Sequence, residues 1–258
     1  MTKSPERVLK AGERVLRKVG HGSRELLDFG DPLRSYNRRL AWVFLARKPA
    51  HIAADLRLMP IEGRIEKAQA RYFQELLIRE PWVRTVAEIG FNAGHSSYLF
   101  LNTRPDIEVT SFDLGEHEYT HLAKWLIDEH FPGRHTLVTG DSRQTIPAFT
   151  KAQPDRRFDL IFIDGGHLVD VARADIDNCR PLATAHTIVI MDDLNPNGFW
   201  GAGPVVAWDQ AQHDGLIGDT VLIEDGVPVS SSPTDNEKIG NRWALGHYLN
   251  VEIDRTLP

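Results

Sequence analysis

The chain has 258 residues, 41% of them hydrophobic, enough to core one large α/β domain or a domain with an extension. A single cysteine, Cys179, excludes an internal disulfide and fits a reducing compartment, and no stretch approaches the apolar length of a bilayer span. The formal charge of −6 conceals an asymmetry: residues 1–50 carry 12 Lys/Arg against 5 Asp/Glu, so the rest is strongly acidic.

The sequence opens charged, with no apolar h-region, and a soluble cytoplasmic protein is expected. Residues 4–19 place Val8, Leu9, Val15, Leu16 and Val19 at helical spacing, closed by Gly20-His-Gly22. A second apolar stretch spans 40–46. Residues 1–60 therefore read as a helical N-terminal extension for acceptor or oligomer contacts, with a catalytic domain over 61–258. The basic arm suits a homo-oligomer contact better than nucleic acid, because no nucleic-acid-binding module accompanies it and the body is acidic. Its periodic face is too short for stable membrane insertion.

Met59-Pro-Ile-Glu-Gly63 punctuates the entry to a helix over about 64–79. From there strands alternate with helices. Strands are expected at 84–89, 108–112 and 135–139 and in the apolar runs 158–164 and 187–193, with helical intervals such as 119–130 and 168–180. A Gly/Asn/Pro-rich loop at 195–204, a helix over about 205–213 and two closing strands at 220–223 and 243–249 follow, with a polar loop at 230–236. This βαβα rhythm predicts an α/β fold, a doubly wound Rossmann-like sheet of about seven strands with helices on both faces.

In such sheets ligands collect outside the carboxyl ends of the strands. The runs ending in Asp164-Gly-Gly-His167 and Asp192-Asp193 would bring three carboxylates and an imidazole to one rim, which suits a hard divalent cation with a base beside it. His167 also suits a helix cap or a metal ligand, and one of the paired aspartates also suits a supporting place behind the ligands or an N-cap. The first strand runs into Glu88-Ile-Gly90-Phe-Asn92-Ala-Gly94-His-Ser96, where glycines, and Asn92 in a left-handed conformation, let backbone approach a ligand. Asp113 stands nineteen residues past Gly94 at the end of the next strand, where an acid binds a ribose diol. Gly140-Asp141-Ser142 ends the third strand, with Asp141 also a ready N-cap. Three such elements at successive strand ends imply a nucleoside-containing ligand. The glycine spacing fits neither the dinucleotide nor the P-loop pattern, so NAD and ATP are disfavoured.

The pattern Glu88-x-Gly90-x-x-x-Gly94-x-Ser96, Asp113 and Gly140-Asp141 resembles class I S-adenosylmethionine-dependent methyltransferases. The Asp164-Gly-Gly-His167 and Asp192-Asp193 elements are similar to those of their metal-dependent O-methyltransferases, closest to the macrocin O-methyltransferase-like enzymes that methylate sugars, over roughly residues 59–225. Asn92 departs from the glycine most members carry. The resemblance implies S-adenosylmethionine as cofactor, with Glu88, Gly90 and Gly94 around its methionine part and Ser96 close by. It implies Asp113 on the ribose hydroxyls and Asp141 and Ser142 beside the adenine. It also implies Mg²⁺ or another divalent cation on Asp164, Asp192 and Asp193, His167 as base where catechol-type enzymes place a lysine, and a lid at 59–63. The expected acceptor is a small molecule or oligosaccharide, a vicinal-diol sugar or glycoside first. A catechol or other phenol is the second reading, and a non-catalytic cofactor-binding scaffold the third. Phe199 and Trp200 suit stacking on an acceptor ring or plain packing, while His95, His117 and His121 suit structural or surface roles. Asn195-Pro196 falls one strand too late for the motif of methyltransferases acting on nucleic-acid amino groups.

Overall fold

The structure, a computed structural model, describes Leu33, Ser35, Tyr36, Arg39, Leu40 and residues 65–229 and 240–251. The expected helix at 4–19, most of the 40–46 stretch, the 59–63 segment and the 230–236 loop lie outside the described residues.

Helix α1 (Lys67–Arg79) turns Ala70, Phe73, Leu76 and Leu77 inward at helical spacing and ends where Glu80 N–H closes onto the Leu76 carbonyl, just before Pro81. Then follow β1 (Thr85–Ile89), α2 (His95–Thr103), β2 (Glu108–Asp113), α3 (Glu118–His130), β3 (His135–Thr139), α4 (Ser142–Ala152), β4 (Leu160–Ile163), α5 (Val169–Cys179) and β5 (Ile188–Met191). The chain continues with α6 (Ala202–His213), β6 (Ile217–Glu224), β7 (Val227–Val229) and β8 (Arg242–Tyr248). Within the described residues the expected strands and helices are present. Helix α6 starts three residues earlier than the sequence pattern indicated, inside the glycine-rich loop.

The strands form one sheet in the order β3-β2-β1-β4-β5-β8-β6-β7, eight strands rather than about seven. Pairings among β1 to β5 are parallel, and β8, β6 and β7 join antiparallel. The additional strand is β7. It closes a hairpin with β6 through Asp225-Gly226, both at positive φ (49° and 86°), as a type I′ turn requires.

Strands β4 and β5 are buried at every position, as befits parallel strands covered on both faces, and their side chains alternate between two cores. Val86, Leu160, Phe162 and Ile190 face one core, closed by α1, α2 and α3; the Leu33, Tyr36 and Leu40 side chains are buried in this same core. Ala87, Ile89, Ile161, Ile163 and Val189 face the other, closed by α4, α5 and α6. Register then fixes the rim. Ile89 pairs with Phe112 on one side and Ile163 on the other, and Ile163 pairs with Met191, so β1, β2, β4 and β5 end at one level. No helix among the described residues is long and apolar enough to cross a membrane.

Phe73 on α1 carries much of the first core, its ring meeting Phe100, Phe162 and Trp243 with centroids 5.3–6.0 Å apart. Phe73→Ala is expected to cost about 3–5 kcal/mol in a urea titration, as for other buried aromatics. A loss under about 1 kcal/mol would mean that α1 is not integral to the fold.

Candidate active site

The turn after β1 is built to lie against the end of β4. Gly90 has φ 94°, and a Cβ there would stand 1.9 Å from the Asp164 carbonyl oxygen, so only glycine fits. Asn92 takes the left-handed conformation (φ 50°) expected of it, and Gly94 does too (φ 72°). A side chain at Gly94 would strike Phe91 and the Tyr36 hydroxyl, which itself donates to the Ala93 carbonyl at 2.7 Å. The turn is thus clamped from the strand side and from the N-terminal side.

Asp113, at the end of β2, accepts from Asn92 N–H on Oδ2 (2.8 Å) and from Gly115 N–H on Oδ1 (2.7 Å). Each carboxylate oxygen retains a further acceptor site. Asp141 caps α4, accepting from Arg143 N–H at 2.9 Å, and pairs with the Arg143 guanidinium at 2.7 Å, which holds its pKa below the usual range. A cleft of about 370 Å³, within the usual range for small-molecule sites, is lined by Gly90, Asn92, Asp113, Gly140, Asp141 and Ser142, and on its other wall by Asp164, Gly165, His167 and Asp193. A smaller chamber of about 40 Å³ adjoins it through shared Gly90, Asn92 and Asp164, and adds Gln69, His95, Ser96 and Asp192. Residues from five strand ends therefore border the larger cleft, among them a carboxylate at the end of β2, a set that suits a nucleoside.

Glu88 lines neither cavity. Its carboxylate is fully buried and accepts from the Ser96, Ser97 and Ser111 hydroxyls at 2.5 Å each. Burial raises its pKa, and the three hydroxyls oppose that rise. Ser111 Oγ continues to His135 Nε2 at 2.9 Å. His135 is buried, and that burial, with Lys124 adding to it, lowers its pKa to about 3. This network ties β1, β2, β3 and the first turn of α2 together beneath the cofactor-side turn.

On the other wall, one ligand atom each from Asp164, His167 and Asp193 lie within 4.8 Å of one another, and His167 Nε2 is 2.9 Å from Asp193 Oδ2. Asp193 takes the left-handed conformation (φ 58°), an uncommon state for a residue with a side chain and one that clusters at functional sites. Asp192 stands apart from that triad. It is buried, with Oδ1 accepting from Asp193 N–H (2.8 Å) and Oδ2 from the Gln69 amide (2.6 Å). Burial, then the charges of Asp192, Asp193 and Glu88, push Asp164 well above the ordinary carboxylate range. Burial and Asp193 push Asp192 up to about 7. Carboxylates that disfavour one another's ionisation beside an imidazole form a donor set that a hard divalent cation would relieve, so these residues fit such an ion.

Residues 87–194 match the family described as a methyltransferase domain. That stretch, the strands and helices from β1 to the end of β5, is what the chain shares with that family. The sheet and helices also match solved structures of O-methyltransferases. An O-methyltransferase from Bacillus cereus in complex with SAH is 17% identical, with 88% of this chain and 94% of that one covered and a TM-score of 0.60. TomG from Streptomyces achromogenes, an O-methyltransferase of tomaymycin synthesis in complex with SAM, is 16% identical, with 96% and 99% covered and a TM-score of 0.58. CalS11, a TDP-rhamnose 3'-O-methyltransferase of calicheamicin biosynthesis, is 20% identical, with 86% and 98% covered and a TM-score of 0.50. At such identities the likeness establishes the fold. No curated protein matches the chain.

Among the sequence-derived residues, Gly90, Asn92, Asp113, Asp141, Ser142, Asp164, His167 and Asp193 converge on the larger cleft and Ser96 and Asp192 on the chamber, while Glu88 and Gly94 shape the turn from behind. Of the histidines, His95 lines the chamber and His117 the cleft. Phe199 and Trp200 are exposed, at 92% and 42%, with rings 5.2 Å apart and edge to face. They precede Gly201 and Gly203, where an added Cβ would strike the Asp193 and His167 carbonyl oxygens, and their rings line neither of the two cavities. Gln69 was missed. Its signal was positional: Gln69, Phe73 and Leu77 recur at i, i+4 on the buried face of α1, where an amide has no reason to sit without a partner.

The neutral, buried His135 makes stability pH-dependent. Its folded pKa of about 3 lies below that of an exposed imidazole, so its contribution is complete above about pH 6.5 and is lost as pH falls from there toward 3. Melting temperature measured between pH 7 and 4.5 is expected to fall more steeply in the wild type than in His135→Asn. Parallel profiles would remove His135 as the cause.

Proposed function

We propose that this methyltransferase transfers the methyl group of S-adenosylmethionine to a hydroxyl of a sugar or glycoside, assisted by a divalent cation such as Mg²⁺. The observation that carries the reading is the convergence of Asp164, His167 and Asp193 on the wall of the nucleoside-sized cleft. Asp164, Asp193 and Asp192 would hold the cation. When bound, it supplies Lewis acidity, lowering the pKa of an alcohol that is otherwise a poor nucleophile at neutral pH. Three carboxylates would not satisfy such a cation alone, which is why a vicinal diol, with two neighbouring hydroxyls, is the acceptor class this donor set would favour.

The chain's own groups do the rest. Asp113 takes the ribose hydroxyls, and Asp141 and Ser142 border the adenine. His167 accepts the acceptor's hydroxyl proton on its imidazole, whose Nε2 faces Asp193 Oδ2; a carboxylate there stabilises the imidazolium that forms. The oxygen bonds to the methyl carbon as the carbon–sulfur bond breaks, its electron pair returning to sulfur, so the sulfonium leaves as a neutral thioether. The name of CalS11, an O-methyltransferase of a nucleotide-linked sugar, supports the sugar reading. A phenolic acceptor is the second reading, favoured by the exposed Leu168 on the cleft wall and by the exposed Phe199 and Trp200 on the loop after Asp193.

Chelation and Asp193→Ala are each expected to lower turnover at least a hundredfold, with Mg²⁺ restoring only the chelated wild type. His167→Ala should lower kcat by about 10²–10⁴ while calorimetric affinity for S-adenosylhomocysteine is retained. Turnover surviving both chelation and Asp193→Ala would refute the cation-assisted mechanism.

Trp200→Ala is expected to raise the acceptor KM several-fold and leave the cofactor KM unchanged, as loss of a stacking face would. A panel of glycosides and phenols assayed with wild type and variant identifies which acceptor class depends on that ring. No change in any acceptor KM would assign Trp200 to packing alone.

A further inference from the structure

The cation reading of Asp164, Asp192 and Asp193 leaves one neighbouring residue unexplained. Gln69 is 2% exposed on a helix face that otherwise turns Ala70, Phe73, Leu76 and Leu77 into the core. Its amide donates to Asp192 Oδ2 at 2.6 Å across 123 residues of sequence, from α1 to the end of β5. Both residues line the chamber that also contains Asp164. The opposite oxygen of Asp192 is fixed by the Asp193 amide. The carboxylate is therefore gripped from both sides, with lone-pair capacity left on each oxygen.

We infer that Gln69 is a positioning residue of the cation site. It holds the Asp192 carboxylate oriented beside Asp164, so that the metal affinity of the strand ends depends on helix α1. Hydrogen-bonding partners of metal-ligating carboxylates commonly set affinity in this way, and their loss typically costs 10–100-fold. The inference rests on the cation reading and extends it to a residue that need not touch the ion. It also gives α1 a role that a purely structural helix would lack.

The test reads metal binding directly. Mn²⁺ is titrated into wild type, Gln69→Met, Asp192→Ala and the double variant, and free Mn²⁺ is followed by electron paramagnetic resonance. Affinity for S-adenosylhomocysteine without metal and melting temperature are measured on the same samples. Gln69→Met keeps the side-chain length and removes the donor. It is expected to weaken Mn²⁺ binding 10–100-fold while metal-free cofactor affinity changes less than about twofold. In the Asp192→Ala background the same substitution should have no further effect on Mn²⁺, which a general loss of packing would not reproduce. Equal Mn²⁺ affinity in wild type and Gln69→Met overturns the role of Gln69 and leaves the cation reading standing. A wild type that takes up no Mn²⁺ overturns both. If Gln69→Met does not fold, Gln69→Leu and Gln69→Asn replace it, and Mn²⁺ affinity equal to wild type in both would equally refute the inference.

Discussion

The contact on which the site depends is the approach of Gly90 to the backbone of Asp164. Parallel pairing of β1 with β4 sets Ile89 beside Ile163, and the Asp164 amide donates to the Ile89 carbonyl at 2.8 Å. The chain must then leave β1 at φ 94° and pass so close to β4 that a methyl group would overlap the Asp164 carbonyl. Any side chain at position 90 would part the two strand ends. The cofactor-side turn and the acidic cluster would then no longer border the same hollow. The two cavities meet at Gly90, Asn92 and Asp164, the atoms of this junction.

Gathering acids there has an electrostatic cost, which the fold offsets differently at each. Glu88 is buried completely but surrounded by three hydroxyl donors. Asp193 faces an imidazole, and Asp192 takes two amide hydrogens, one from Gln69 and one from its neighbour. Asp164 feels all three and is raised well above the ordinary range. Such an arrangement is unfavourable as a set of four anions and favourable around positive charge. The serine hydroxyls hold Glu88 away from both cavities and against the first turn of α2, although its charge still reaches Asp164.

The fold was legible because the parallel strands are short apolar runs ending abruptly in carboxylates or glycine. Burial on both faces demands the run, and the ligand rim demands the polar ends. The antiparallel edge was harder, since β6 alternates partly exposed positions and β7 has only three residues. Its one clear signal, Asp225-Gly226, is the hairpin dipeptide, and it passed unread between two candidate strands. At the site, residue identities and spacings gave Asp113, Asp164, His167 and the paired aspartates. The sequence could not show which of that pair turns toward His167, because that choice is made by the left-handed backbone of Asp193. Nor could it show Glu88 buried behind the turn, since three of its partners are serines of ordinary spacing.

Residues before β1 enter the site from the side opposite the cleft. The Tyr36 hydroxyl fixes the Ala93 carbonyl within the Gly90–Gly94 turn, and its ring stacks on Tyr98 with centroids 4.4 Å apart. Gln69 fixes Asp192. One brace therefore reaches the cofactor-side turn and the other the acidic cluster, and each comes from a segment that lies outside the matched domain at 87–194. A buried hydrogen bond of this kind is costly to leave half made, because the partner that remains is desolvated without compensation. The geometry of both walls is thus held by residues that do not belong to the strand-end motifs. A chain cut back to those motifs would retain the strand-end carboxylates and lose what positions them.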